Sequence, residues 1–176
     1  MDEPMAQAKQ PTSSLLAGPY GHPFHPILVT VPIGAWVASL VFDVASYVAD
    51  RPASLVDGAT WLIALGVVGA LAAAMVGFLD FLGIPSGTPA RRTGVLHLSI
   101  NLTLVAAYAV NFAWRQGLDV ADDAHTPAGP TVLSVVSVLL LAVSGYLGGK
   151  LAYRYGVRVA DEDTQAEGYR TTTPHQ

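Results

Sequence analysis

The sequence predicts an all-α integral membrane protein, an up-down bundle of four helices, and three observations support this prediction. Four long apolar stretches recur along the 176 residues, short links join them, and the charged fraction is low. Charged residues make up only 12% of the chain and hydrophobic residues 52%, whereas a typical soluble domain is about 25% charged. So little charge leaves too little polar surface to cover a water-soluble globule of this size.

Each apolar stretch is long enough to cross a bilayer as a helix. A helix needs about 20 residues to cross about 30 Å of hydrocarbon, and inside lipid only helices and closed barrels satisfy the backbone. Barrel strands would be shorter and would alternate in polarity, which these stretches do not. The predicted spans are residues 27–49, 59–82, 95–114 and 131–149. The short links 50–58, 83–94 and 115–130 make neighbouring spans antiparallel.

The Lys and Arg residues are distributed unequally between the two sides of such a bundle. Cytoplasmic loops carry an excess of these residues, so the richer side predicts cytoplasmic termini and an outward-facing acidic loop at Asp119, Asp122 and Asp123. The poorer side has Arg51 and Arg115, and the richer side has Lys9, Arg91, Arg92, Lys150, Arg154, Arg158 and Arg170.

Domain organisation follows from the same pattern. Residues 21–159 form one four-span transmembrane domain, and residues 1–20 and 160–176 are polar tails that we expect to be disordered. Residues 1–20 lack the apolar core of a secretory signal peptide.

Composition also excludes several classes of site. The chain has no cysteine, which excludes disulfides, thiolate metal sites, Cys-ligated iron–sulfur clusters and thioether-attached haem. The net charge of -4 and the absence of a basic run argue against nucleic acid as a partner. No nucleophile–base pair, phosphate loop or substrate motif is visible, which favours a non-catalytic role.

Prolines mark helix starts and one predicted kink. Pro26 and Pro89 suit the first position of the first and third helices, and Thr88 is the expected cap of the third. Pro32 lies inside the first span, where it cannot donate to the carbonyl of Leu28. We therefore expect a kink near the start of that span.

The third span carries one polar face on an otherwise apolar helix. At about 100° per residue, four polar residues spaced 4, 11 and 18 positions from the first fall within about 40° of one another. Polar side chains are costly in lipid, so this face should turn to the bundle interior. Its members are His97, Asn101, Tyr108 and Arg115.

An equal spacing links the first and third spans, which run parallel. His25 and Asp43 are eighteen positions apart, as are His97 and Arg115. Eighteen helical residues cover about 27 Å. A rough two-fold axis along the membrane normal would place both histidines at one depth and let Asp43 pair with Arg115 near the outer face.

Three histidines and one aspartate are expected at the cytoplasmic end. His22 and His25 each precede a proline, which favours extended or turn conformations, so this segment could fold over the bundle mouth. Asp80 ends the second span and is the expected partner of His97. We predict that the four side chains form one polar cluster, whereas His125 and His175 lie in polar segments and are expected to be solvated.

Small residues predict close helix contacts, since they let helix backbones approach in lipid. The second span has a stripe of Gly66, Ala70, Ala73 and Gly77, and the fourth has Gly145 and Gly149 in a GxxxG pattern. Packing explains both patterns, and the GxxxG also raises the possibility of a homodimer.

The sequence resembles a family of bacterial four-helix membrane proteins, domain of unknown function family 2231, from about Gly21 to Val159. The resemblance implies a location in the bacterial cytoplasmic (inner) membrane. Some members are joined to Rieske-type iron–sulfur domains, which implies a setting near electron transfer, and many carry a histidine where this chain has Thr30. The matching residues are Gly21-His22-Pro23-Phe24-His25-Pro26-Ile27-Leu28-Val29, Pro32-Ile33-Gly34, Asp43, Asp80, His97, Asn101 and Gly148-Gly149-Lys150-Leu151-Ala152-Tyr153-Arg154-Tyr155-Gly156-Val157.

Three functional hypotheses remain open at this point. The first is a non-catalytic membrane subunit or scaffold whose polar groups specify packing. The second is a redox-linked subunit with b-type haem between His25 and His97, one ring being oriented by Asp80 or a backbone carbonyl, and with a redox protein partner. The third is a single non-haem metal ion, Zn, Fe or Mn, held by His22, His25, Asp80 and His97.

Overall fold

The computed structural model describes residues 3–12, 18, 21–118, 121 and 124–169, and within these ranges every regular element is a helix. The all-α prediction is therefore confirmed. In chain order the elements are α1 (Glu3–Lys9), α2 (Phe24–Leu28), α3 (Thr30–Ser46), α4 (Ala53–Leu82), α5 (Pro89–Gln116), α6 (Ala128–Gly149), a π-helical turn (Lys150–Arg154) and α7 (Glu162–Glu167).

Four helical segments are long and apolar enough to span a membrane, as the sequence predicts. They are Phe24–Ser46, Ala53–Leu82, Pro89–Gln116 and Ala128–Arg154. α3 packs on α4, α4 on α5, α5 on α6, and α6 returns to α3, which closes a four-helix ring. Large apolar side chains such as Val68 and Leu139 face outward and are about two-thirds exposed (67% and 65%), which suits a lipid environment.

The middle of the bundle is an apolar layer built around two stacked aromatic rings. Trp36 and Tyr108 lie with ring centroids 4.1 Å apart and an interplanar angle of 11°. Ile63, Leu104 and Leu141 pack around them. The small-residue stripe of α4 makes room for this layer, because a Cβ at Gly66 would collide with the indole of Trp36.

Local sequence signals set the helix boundaries. The first span is interrupted at Val29, which separates α2 from α3 where the Pro32 ring removes a backbone donor. The Thr30 hydroxyl donates to the Ile27 carbonyl at 2.7 Å across this break. At α5, the Thr88 hydroxyl accepts from the Arg91 amide at 3.1 Å, and Pro89 occupies the first helical position, as expected.

The two ends of the bundle are named here by their residues. The histidine end holds His25, Asp80 and His97, and the arginine end holds Asp43 and Arg115. α1 meets the segment between α6 and α7 at the histidine end, where the Arg158 amide donates to the Ala8 carbonyl at 3.0 Å and Lys9 pairs with Glu162 at 3.0 Å. The Lys9 ammonium lowers the pKa of the Glu162 carboxyl.

Each of the two regions predicted to be a polar tail contains one short helix. α1 forms within residues 1–20 and α7 within residues 160–176, and the Asp161 carboxylate caps α7 by accepting from the Thr164 amide at 2.8 Å. The acidic loop residues Asp119, Asp122 and Asp123 lie outside the described residues, as do Arg170 and His175.

Candidate cofactor site at the histidine end

A cavity of about 480 Å³ lies between the helices at the histidine end. Most of its lining residues are apolar and come from α2, α3, α4, α5 and α6. His25, Asp80 and His97 line it, so the structure brings together three of the four residues of the predicted cluster. His22 immediately precedes the lining segment and is not part of the wall.

His25 reaches the cavity from the short helix α2, which begins at Phe24. The extended or turn conformation predicted for His25, with Pro26 opening the helix, is therefore wrong. Its Nδ1 lies 2.9 Å from the carbonyl oxygen of Ala73 on α4. A carbonyl can only accept, so Nδ1 carries the proton and Nε2 is left as the basic nitrogen. Gly77 lies one turn further along α4, and a Cβ there would come within 2.6 Å of the ring. The glycine is therefore required for the imidazole to approach α4.

His97 reaches the cavity from α5 with the same kind of support. Its Nδ1 lies 3.0 Å from the carbonyl oxygen of Ser144 on α6, and the Asn101 amide nitrogen lies 3.2 Å from its Nε2. Asn101 Nδ2 also lies 2.8 Å from the His97 carbonyl and 2.8 Å from the Ser144 hydroxyl. A Cβ at Gly148 would lie 3.2 Å from the His97 ring.

The two imidazoles are close neighbours in a T-shaped arrangement. Their ring centroids are 6.5 Å apart, and their planes are perpendicular at 89°. Two imidazoles bound to opposite sides of one metal ion at about 2 Å would place their ring centroids about 6 Å apart. The observed spacing therefore fits a pair of ligands on one central atom.

Asp80 has a different partner from the one expected. The sequence predicted a pairing with His97, but the Asp80 carboxylate lies 2.9 Å from Nε of Arg158, and His97 is satisfied by Ser144 and Asn101. Arg158 has a left-handed backbone conformation with a φ of 58°. In the sequence analysis, Arg158 contributed only to the predicted membrane orientation. No sequence motif near it indicates that the segment after α6 folds back over Asp80.

The arginine end contains the ion pair that the equal spacing predicted. Arg115 donates to both carboxylate oxygens of Asp43, from Nη1 at 2.9 Å and Nη2 at 2.7 Å, and both residues are buried. Arg115 Nε also donates to Asn111 at 2.8 Å, and the Thr126 hydroxyl donates to Asp43 at 3.0 Å. Sequence reasoning missed Asn111 and Thr126.

The predicted interior face of α5 is correct. Tyr108 and Arg115 are buried, and His97 and Asn101 line the cavity. The first glycine of the GxxxG pattern in α6, Gly145, is not needed for close helix packing within the bundle. A Cβ at this position would meet nothing within 4 Å among the described residues.

The non-haem metal hypothesis finds no ready donor cluster. Within the part of the chain that the structure describes, no group of three or more His, Asp or Glu side chains is arranged to hold a metal ion. The carboxylate of Asp80 is engaged by Arg158.

Comparison with protein families agrees with this architecture. Residues 21–161 match the family model described as "Predicted membrane protein (DUF2231)". The chain belongs to the DUF2231 family. The match begins before α2 and ends after Arg158, so it covers the whole bundle and the cavity and leaves α1 outside. No curated protein and no solved structure matches the chain.

Proposed function

We propose that this DUF2231 protein is a redox-linked membrane subunit that holds a b-type haem between His25 and His97. The observation that supports the proposal is the pair of imidazoles that line a mostly apolar cavity inside a four-helix bundle, with their ring centroids 6.5 Å apart. Such bundles build cofactor sites from side chains on facing helices. When bound, a haem would supply one-electron transfer, and the Rieske-type domains of some relatives indicate a redox protein as partner.

The chain's own groups fit the role of axial ligands. Metal-binding histidines typically donate the second ring nitrogen to a carbonyl or carboxylate, which fixes the tautomer and the ring orientation. Both His25 and His97 donate Nδ1–H to a main-chain carbonyl of the next helix. In the neutral ring, these bonds leave Nε2 as the nitrogen that can bind a metal.

Ligation at His97 Nε2 requires the Asn101 amide to move away from that nitrogen, and the amide has other acceptors. The Asn101 amide has two protons and three acceptors within reach. Two of those acceptors, the His97 carbonyl and the Ser144 hydroxyl, are nearer at 2.8 Å than Nε2 at 3.2 Å. The amide can therefore keep two hydrogen bonds while Nε2 binds elsewhere.

Cavity size and lining are also suitable. The volume of about 480 Å³ lies inside the range of about 300–1,000 Å³ that is usual for cofactor and ligand sites. An apolar wall excludes water from a bound cofactor, and the bundle closes this cavity toward the arginine end with the layer around Trp36 and Tyr108.

A non-catalytic scaffold is the second candidate, and the buried network at the arginine end favours it. The Asp43–Arg115 pair and Asn111 join α3 and α5, and Asn111 bonds onward to Ser134 on α6 at 3.0 Å. These contacts tie helices together without facing the cavity. The homodimer predicted through Gly145 and Gly149 gains no support from this arrangement, because both glycines line the cavity.

The test is an absorption spectrum and a metal analysis of the detergent-purified protein. We expect a Soret band and one iron per chain, both lost in the His25→Ala/His97→Ala double variant. His125→Ala is the matched control, since that residue lies at the other end of the bundle, and it should leave the spectrum unchanged. Neither band nor metal would contradict the proposal and leave the scaffold, and metal without a Soret band would select the non-haem site.

A further inference from the structure

The bundle consists of two consecutive helical hairpins, one formed by α2, α3 and α4 and the other by α5 and α6. In the first span of each hairpin, equivalent residues are 72 positions apart. The ring centroids of His25 and His97 lie 6.5 Å apart, and Trp36 stacks on Tyr108 at 4.1 Å. At the arginine end, Asp43 pairs with Arg115 at 2.7 Å. In each case a residue contacts its own counterpart from the other hairpin. Only residues beside a two-fold axis can meet their own equivalents in this way.

The second helices, α4 and α6, repeat the pattern at a spacing of 71 positions. Every residue that α4 buries has a buried counterpart on α6 at this spacing. Chemical identity differs at all five positions, so only the burial pattern reveals the repeat. The pairs are Ala59 with Pro130, Ile63 with Ser134, Gly66 with Ser137, Ala70 with Leu141 and Ala73 with Ser144.

The residues that contact His25 and His97 are also related by the spacing of 71 positions. The carbonyls that accept from their Nδ1 atoms belong to Ala73 and Ser144, which are one such pair. The glycines against which the rings lie, Gly77 and Gly148, are also 71 positions apart.

The cavity wall follows the repeat as well. Further pairs of lining residues are related by the same spacings, among them Ile33 with Val105 and Ala74 with Gly145. The cavity therefore lies between the hairpins and receives matching contributions from each.

We infer that the bundle is two copies of one helical hairpin and that the cavity on their pseudo-two-fold axis is built for a flat ligand with two equivalent faces, an iron porphyrin that takes Nε2 of His25 on one face and Nε2 of His97 on the other. This inference rests on the proposed function and adds that the two histidines are equivalent ligands, one supplied by each hairpin.

The ring angle supplies a spectroscopic test. Perpendicular axial imidazoles give low-spin ferric haem an electron paramagnetic resonance signal dominated by one large g value, whereas parallel imidazoles give a rhombic signal. The planes of His25 and His97 are perpendicular. We expect the large-g signal from the oxidised full-length protein, and a high-spin or rhombic signal would overturn the inference.

Single variants test the equivalence of the two ligands. His25→Ala and His97→Ala should each lose the low-spin signal completely and become high-spin, and added imidazole should restore the low-spin state in both. Retention of the parent signal by either variant would overturn the inference and leave haem binding intact. If the parent protein binds no haem, both the proposed function and this inference fail. The parent spectrum decides the case even where a variant fails to fold.

Discussion

Individual charged residues are buried in this bundle only together with their partners. Asp43 has no exposed surface and Arg115 is 8% exposed, and the two form a bidentate pair that Thr126 and Asn111 complete. Removing one partner of a buried pair leaves an uncompensated charge. The pair therefore specifies how α3 and α5 are aligned at the arginine end.

A charge-reversal series tests this pair. Asp43→Arg or Arg115→Asp alone should destabilise the bundle by roughly 3–5 kcal/mol, because each places two like charges together without water. The double variant should recover part of that loss. Thermal unfolding in detergent, followed by circular dichroism, measures the effect. The exposed residue Asp50 is the control, and Asp50→Arg should leave the unfolding temperature unchanged; simple addition of the two single effects would contradict the pairing.

At the scale of helices, short signals set where each span begins and bends. α5 begins at Pro89 behind the Thr88 cap, and the first span is interrupted at Val29 beside Pro32. α1 and the segment after α6 follow a different rule, because they are held by contacts between distant residues such as Lys9 and Glu162.

The Thr88 cap predicts a measurable loss of stability. Thr88→Ala removes the side-chain oxygen that accepts from the Arg91 amide, and loss of such a cap costs about 1 kcal/mol. Thr103→Ala is the matched control, because the Thr103 hydroxyl only donates to the Ser99 carbonyl within the same helix. The unfolding temperature should fall for Thr88→Ala alone, and equal effects of the two variants would rule out the capping role.

The whole molecule is polarised along the membrane normal. Among the described residues, the histidine end has α1, α7 and six of the Lys and Arg residues, and the arginine end has Arg51 and the buried Arg115. By the positive-inside rule, the histidine end and its cavity should face the cytoplasm.

Reporter fusions test this orientation. A reporter fused after Gln176 should be cytoplasmic, and the same reporter inserted in the loop 119–123 should be outside, so the two should give opposite signals. A reporter fused before Met1 should agree with the one after Gln176. The reverse pattern would move the candidate haem site to the outer face.

The sequence by itself determined the four spans, the Thr88 cap, the break near Pro32, the interior face of α5 and the Asp43–Arg115 pair. The first four depend on hydrophobic length, proline chemistry and the helical period, which are local, and the pair was predicted from the equal spacing in two parallel spans. Only the tertiary structure decided which atoms support the site. His25 and His97 are oriented by main-chain carbonyls of Ala73 and Ser144, which carry no side-chain signature, and Asp80 meets Arg158 through a backbone turn.

The duplication of the hairpins also emerged only from the tertiary structure. The equal spacing of His25–Asp43 and His97–Arg115 predicted a rough axis. The α4 and α6 counterparts, such as Ile63 and Ser134, have unlike side chains. Helix packing fixes which positions are buried, but residues of different type can occupy those positions. A sequence gives the type of each residue but not its burial. The relation between α4 and α6 was therefore found only from the buried positions in the structure.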